Sequence, residues 1–263
     1  MKNKLLVLSF GFFVIIATAS CDLVKDMVVL EGSGNVETIT EDFIGFNRVE
    51  ASQSFDVSIT QGDEYRVVIK ADEEFVDYLD ITKRGNTLDI DLKDEFSYRI
   101  LDGVLEASIT MPELVLVRLS GASDGMIAGF DSNDRFEADI SGASSLTGDL
   151  GAGDIILSLS GASELSGDYS VDNVDLSATG ASRIQLSGSG KDVRVDASGN
   201  CRVNLEEFIS EDATVDVGGA SEVVFNAGGT VDVSSNGASR VYQTGDGEFG
   251  DVSSSAAARV ERR

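Results

Sequence analysis

The chain of 263 residues has no histidine and no tryptophan, one proline and two cysteines. Without histidine, the usual base of serine and cysteine nucleophiles and every imidazole-bearing metal site are excluded. Cys21 and Cys201 are too few to build a structural zinc site. Positive charge is scarce as well: 20 Lys and Arg stand against 46 Asp and Glu, a formal net charge of −26. A surface of that sign repels nucleic acid and anionic membranes, so neither is expected as a direct partner. Long apolar runs are confined to the segment from Leu5 to Ala19.

What the chain does have is an ordered set of glycines. A phrase close to Ser-Gly-Ala-Ser returns from Ser120 onward, with its glycine at Gly121, Gly142, Gly161, Gly180, Gly199, Gly219 and Gly237, at intervals of 21, 19, 19, 19, 20 and 18 residues. A degenerate eighth copy, Ser255 to Val260, puts Ala256 in the glycine slot. Apolar residues recur six, four and two positions before these glycines, as in Ile155, Leu157 and Leu159 before Gly161. This alternation marks a strand with one buried face. A second apolar column follows four residues after the glycine: Leu146, Leu165, Ile184, Val203, Val223, Val241 and Val260. Each repeat is therefore two or three short strands around a tight corner, where glycine serves the bend and alanine and serine leave room for stacking.

A unit of about 19 residues without helical period cannot bury its own apolar face, so it must stack on its neighbours. The expected fold is all-β, a single-stranded right-handed parallel β-helix with aliphatic ladders inside. Outside, the column three residues after the glycine sets Glu164 beside Arg183, and Glu222 between Arg202 and Arg240, as exposed ion pairs worth about 0–1 kcal/mol each.

Residues 1–20 read as a lipoprotein signal peptide: a basic start at Lys2 and Lys4, the apolar run, then Thr18-Ala19-Ser20-Cys21. That tetrapeptide resembles a bacterial lipobox, in which the cysteine becomes the lipidated first residue; Thr18 replaces the usual leucine. A plain secretion signal or a retained anchor helix is the alternative. Removal of residues 1–20 moves the formal charge from −26 to −28. Residues 21–42 read as lipidated cysteine and tether, with Met27 to Leu30 either on the membrane or at the start of the fold. Residues 43–112 carry hairpin-like alternations around Gly62-Asp63 and Gly85-Asn86 and are expected to start and cap the stack. Residues 113–263 form the repeat β-helix.

The segments Gly45-Phe46-Asn47-Arg48-Val49-Glu50 and Phe55 to Asp63, the Met111-Pro112-Glu113-Leu114 step and the Ser-Gly-Ala-Ser repeats together resemble the GIN domain family of auto-transporter adhesin head domains. The resemblance covers about residues 43–260. It implies a β-helix in a bacterial lipoprotein of the cell envelope, and it brings no catalytic or ligand residues with it. Asn200-Cys201 departs from the Ala-Ser of the other corners.

Chemistry is sparse elsewhere. Cys201 takes a place where the other copies carry serine and reads as a small stacked residue rather than a reactive thiol. Gly188-Ser189-Gly190-Lys191-Asp192 lacks both the spacing and the helix of a phosphate loop and reads as a turn. Gly148-Asp149 and Gly151-Ala152-Gly153-Asp154 do not recur in a nine-residue phase, against a calcium-binding nonapeptide solenoid. Asp139, Asp196 and Asp216 fall in one outward column and suggest a solvated face, weak calcium binding or acid–base chemistry. The reading is a lipid-anchored, non-catalytic envelope module without cofactor, held to the membrane by its lipid and contacting an unidentified protein or glycan. A polysaccharide-active enzyme using the acidic face is the alternative.

Overall fold

Alternating apolar residues at a constant coil length bury themselves by stacking, and the computed structural model, which describes residues 26–255 and 257–263, shows how. An eleven-stranded and a twelve-stranded sheet enclose one apolar interior, and a two-stranded sheet stands beside them. The chain is a two-sheet parallel β-solenoid. From Leu116 on, each coil gives the strand before its corner to the eleven-stranded sheet and the strand after it to the twelve-stranded one.

Equivalent residues are vertical neighbours. Ile155 pairs with Val174 and Val174 with Val193, while Leu146, Leu165, Ile184 and Val203 follow one another in the opposite sheet. All seven are buried. At about 25 cal/mol per Å² of apolar surface removed from water, these ladders are the main stabilising term.

The corner is built from the backbone. The Ala181 N–H donates to the Gly161 carbonyl at 2.7 Å and the Ala220 N–H to that of Gly199 at 2.7 Å. Gly161 and Gly180 both have φ +77, and a Cβ on Gly180 would lie 2.5 Å from the Gly161 carbonyl oxygen. Only glycine meets both requirements. Behind it runs a buried column of small polar side chains. The Ser163 and Ser182 hydroxyls each donate at 2.8 Å to the carbonyl three residues earlier, which closes the turn from within.

The stack begins before the repeats. Arg48–Ala51 and Asp56–Gln61 form a coil whose corner is Ser52-Gln53-Ser54, and this coil lies directly against the one containing Leu116–Leu119 and Asp124–Asp131. Below it, Thr87–Leu92 and Leu105–Met111 pair in parallel with the same two strands. Antiparallel strands then end both sheets: Leu79–Arg84 on one, Arg66–Asp72 and Val36–Glu41 on the other. The helix Glu73–Val76 buries Phe75 beneath them.

Three expectations need correction. The stretch read as tether contains two strands, Asp26–Glu31 paired with Phe96–Asp102, and Val36–Glu41. The connecting Gly32-Ser33-Gly34 is fixed because the buried Asp72 carboxylate accepts the Gly34 N–H at 2.8 Å and the Val104 N–H at 2.7 Å. Gly62-Asp63 does not close a hairpin either, since Leu105–Met111 lies between the strands on its two sides; Gly85-Asn86 does. Finally, Glu164 is in register with Arg183, and Glu222 with Arg202 and Arg240, yet none of these forms an ion pair among the described residues. Exposed side chains gain too little from pairing to leave water.

At the far end, the Arg263 guanidinium lies 3.6 Å from the Tyr242 ring centroid and that of Arg262 5.6 Å from Phe249. Charge covers the last coil there, its apolar stems lying on aromatic faces.

Substituting Gly161→Val is expected to cost about 3 kcal/mol or more, through positive-φ strain together with the clash on Gly142. Urea unfolding measures it; an unchanged midpoint would show that the corner accommodates a side chain.

Candidate functional site

The interior columns are uniform, so any recognition must come from the outward columns, where the coils differ. On the twelve-stranded sheet, the first outward position after the corner carries, in stacking order, Glu106, Asp56, Asp124, Ser145 and Glu164. The next coils carry Arg183, Arg202, Glu222, Arg240 and Arg259. One half of the column is acidic and the other mainly basic.

The acidic half is crowded. Burial, then the neighbouring Asp124 and Glu106 carboxylates, hold the Asp56 carboxyl above the usual carboxylate range. Glu106 is balanced by Lys70 at 3.2 Å, and the Ser145 hydroxyl donates to Asp124. A shallow groove of about 320 Å³ runs along Asp56, Glu106 and Asp124, with the half-exposed Met126 on its wall. In the basic half, Arg183, Arg202 and Arg240 have no acid within ion-pair distance among the described residues, and they line a groove of about 190 Å³ beside Glu222. Arg259 pairs with Glu261. A third groove, about 280 Å³, is lined by Asp149, Asp168, Glu206 and Glu207 further along the same face.

The eleven-stranded sheet presents the acids considered for calcium. Asp196 and Asp216 are direct neighbours. Asp139 is separated from them by Ser158 and Ser177 and accepts a bond from Arg118 at 3.2 Å, while Arg118 also holds Glu50 at 2.7 Å. Among the described residues no group of three or more Asp, Glu, His or Cys side chains converges as a metal site would require.

The seven corner glycines, from Gly121 to Gly237, all have positive φ and form one vertical line at the edge of the two sheets. Cys201 is buried and free, and its thiol donates to the Ser198 carbonyl at 3.2 Å as the serines of the same column do. Cys21 and Ala256 lie outside the described residues. The outward column is legible in the sequence from Asp124 to Arg259, whereas Asp56 and Glu106 were missed because they precede the recognisable repeat.

This architecture defines the chain as a parallel β-solenoid whose differences from coil to coil are confined to its outside. The chain belongs to the family described as "Putative auto-transporter adhesin, head GIN domain", whose model matches residues 45–247. Its fold is shared with a Parabacteroides merdae protein described as a putative adhesin, at 15% identity and TM-score 0.83, over 90% of this chain and 99% of that one. A Parabacteroides distasonis protein described as a putative lipid binding protein has 19% identity and TM-score 0.82, over 90% and 100%. A second Parabacteroides distasonis protein, described as a putative adhesin, has 15% identity and TM-score 0.80, over 90% and 100%. No curated protein matches the sequence.

Two measurements follow. Because folding raises the Asp56 pKa, its ionised form destabilises the native state above the folded pKa, and the penalty disappears below the unfolded value. Asp56→Asn in dilute protein is therefore expected to raise Tm at pH 7 and to leave it unchanged at pH about 3. A gain independent of pH would show that charge is not its cause. Native protein is also expected to leave Cys201 unlabelled by a maleimide until denaturant is added; rapid native labelling would contradict its burial.

Proposed function

We propose that the protein is a lipid-anchored contact module of a bacterial cell envelope, joined to the membrane through Cys21 and using the outside of its solenoid to bind a protein or glycan. Membership of an adhesin-head family is the observation that carries this reading. The lipobox-like Thr18-Ala19-Ser20-Cys21 supports the anchor. Cys21 precedes the first described strand by five residues, a reach of at most about 18 Å, so the antiparallel cap would stand next to the lipid with the repeat coils directed away.

The outward side of the two-stranded sheet agrees with that placement. Met27, Val29 and Leu101 are more than half exposed there, beside Arg99. Three apolar side chains are a small patch in water, and an interfacial position would bury them. Contact without catalysis fits a scaffold whose coils run from Arg48 to Arg262 with no long inserted loop among the repeats, since active sites are usually carried by loops on such scaffolds.

Cys21→Ala is expected to move the protein from the membrane to the soluble fraction of the cells that express it. An unchanged fractionation would remove the lipid anchor from this reading. Glycan arrays and partner capture with residues 22–263, which retain every described strand, test the contact role. Turnover of a polysaccharide, abolished by replacing one acid among Asp149, Asp168, Glu206 and Glu207, would replace it with an enzyme.

A further inference from the structure

The outward column of the twelve-stranded sheet has a property that the monomer does not use. Acids follow one another from Glu106 to Asp124, and Arg183 is directly beside Arg202, as Arg240 is beside Arg259. Like charges in register oppose pairing of the strands that carry them. The stacking would tolerate either sign at any of these exposed positions, so their segregation has no source in the interior.

A polyanion would neutralise only the arginines. A polycation would neutralise only the acids. The partner that satisfies both halves carries the same order reversed, and that is a second copy turned end for end. We propose that two copies associate face to face through this sheet, about a two-fold axis that lies in the interface parallel to the strands and passes between the coils of Glu164 and Arg183.

Such an axis reverses the stacking direction and brings each outward column against itself. Glu164 then faces Arg183 of the second copy, Asp56 faces Arg240, and Ser145 faces Arg202, each contact occurring twice. Glu106 and Arg259, which also have the internal partners Lys70 and Glu261, extend the pairing at the ends. One row sets Asp124 against Glu222. In that same row the next outward column sets the half-exposed Met126 opposite Val224, which is already buried in the single chain, so the row adds no apolar contact to offset its charges. Asp149 and Glu207 also oppose each other, two residues further along the strands, so the contact is carried by the columns nearest the corner.

Ten strands at about 4.8 Å make the column about 43 Å long, and the two outward columns nearest the corner, at about 7 Å each, are about 14 Å wide. The contact would bury roughly 1,200 Å² in total, the lower end for a specific complex, and would rest on charge. It should therefore be weak and salt-sensitive.

Sedimentation equilibrium of residues 22–263 is expected to show a monomer–dimer equilibrium at low ionic strength that molar salt dissociates. Arg183→Glu with Arg240→Glu, and separately Asp56→Arg with Glu164→Arg, should each weaken self-association at least about tenfold. An equal mixture of the two variants should form a heterodimer, because every reversed position then meets its opposite. Circular dichroism checks the fold of each; should a double variant misfold, the single reversals Arg183→Glu and Glu164→Arg carry the same comparison. A wild-type chain that stays monomeric at low ionic strength overturns the proposal, as does a dimer that the reversals leave intact or a mixture that does not associate.

Discussion

The closeness of one corner to the next governs the rest of this structure. The carbonyl oxygen of Gly161 occupies the space that a side chain on Gly180 would need, and it accepts the N–H that follows Gly180. Backbones that approach this tightly follow the same path, so strands leaving the corner remain in register and place like side chains above one another. The interval between glycines nevertheless varies from 18 to 21 residues, and the surplus appears away from the corner. The coil after Gly121 shifts register between Ile127 and Phe130, and the one after Gly199 between Leu205 and Ile209. Bulges on the strand leading away from the corner absorb length without disturbing the stacked glycines.

That constraint explains what could be read without coordinates. The glycine period, the three apolar positions before it and the one four residues after it are imposed by stacking, and they gave the solenoid and its core. The first coil was not legible because its corner, Ser52-Gln53-Ser54, makes the same bend with Gln53 and Ser54 at φ 57 and 68, without glycine. The stretch around Gly32 and Gly34 looked like a linker from its composition, whereas its order comes from Asp72, a residue 38 positions beyond Gly34. Nor does alternation show which strand pairs with which, so the insertion of Leu105–Met111 between Asp56–Gln61 and Arg66–Asp72 was hidden. For the outward column, the charges were visible from Asp124 on, and only the register joined Asp56 and Glu106 to them.

A solenoid has two open ends, and here they are closed by different means. At the N-terminal end the strands change direction, so that Val36–Glu41 and Leu79–Arg84 finish the two sheets with antiparallel edges. An antiparallel edge strand, with Glu37 and Glu41 on one and Lys83 and Arg84 on the other, is a poor template for a further parallel coil. At the C-terminal end the last strand, Arg259–Arg262, is parallel like its predecessors, and arginine side chains lie over Tyr242 and Phe249 instead. The means differ in kind: an insertion of about 50 residues between the first coil and the repeats builds the antiparallel cap, whereas Arg262 and Arg263 cover the other end with charge.

With the inside fixed and both ends closed, the outward columns are where residue choice is freest, and the stacking does not dictate their charges. Alternating Asp and Arg from coil to coil would have cost the interior nothing and would have removed every like-charge contact along the column. The chain instead groups Glu106, Asp56 and Asp124 in one half and Arg183, Arg202, Arg240 and Arg259 in the other, interrupted only by Glu222. Local choices that oppose stability in an otherwise consistent fold mark positions shaped by something outside it. A polarised column on a stiff scaffold holds its charges at fixed spacing before any partner arrives, so little order has to be created on contact. The same rigidity that glycine stacking gives the corners thus makes the exposed charges a defined surface rather than a diffuse one.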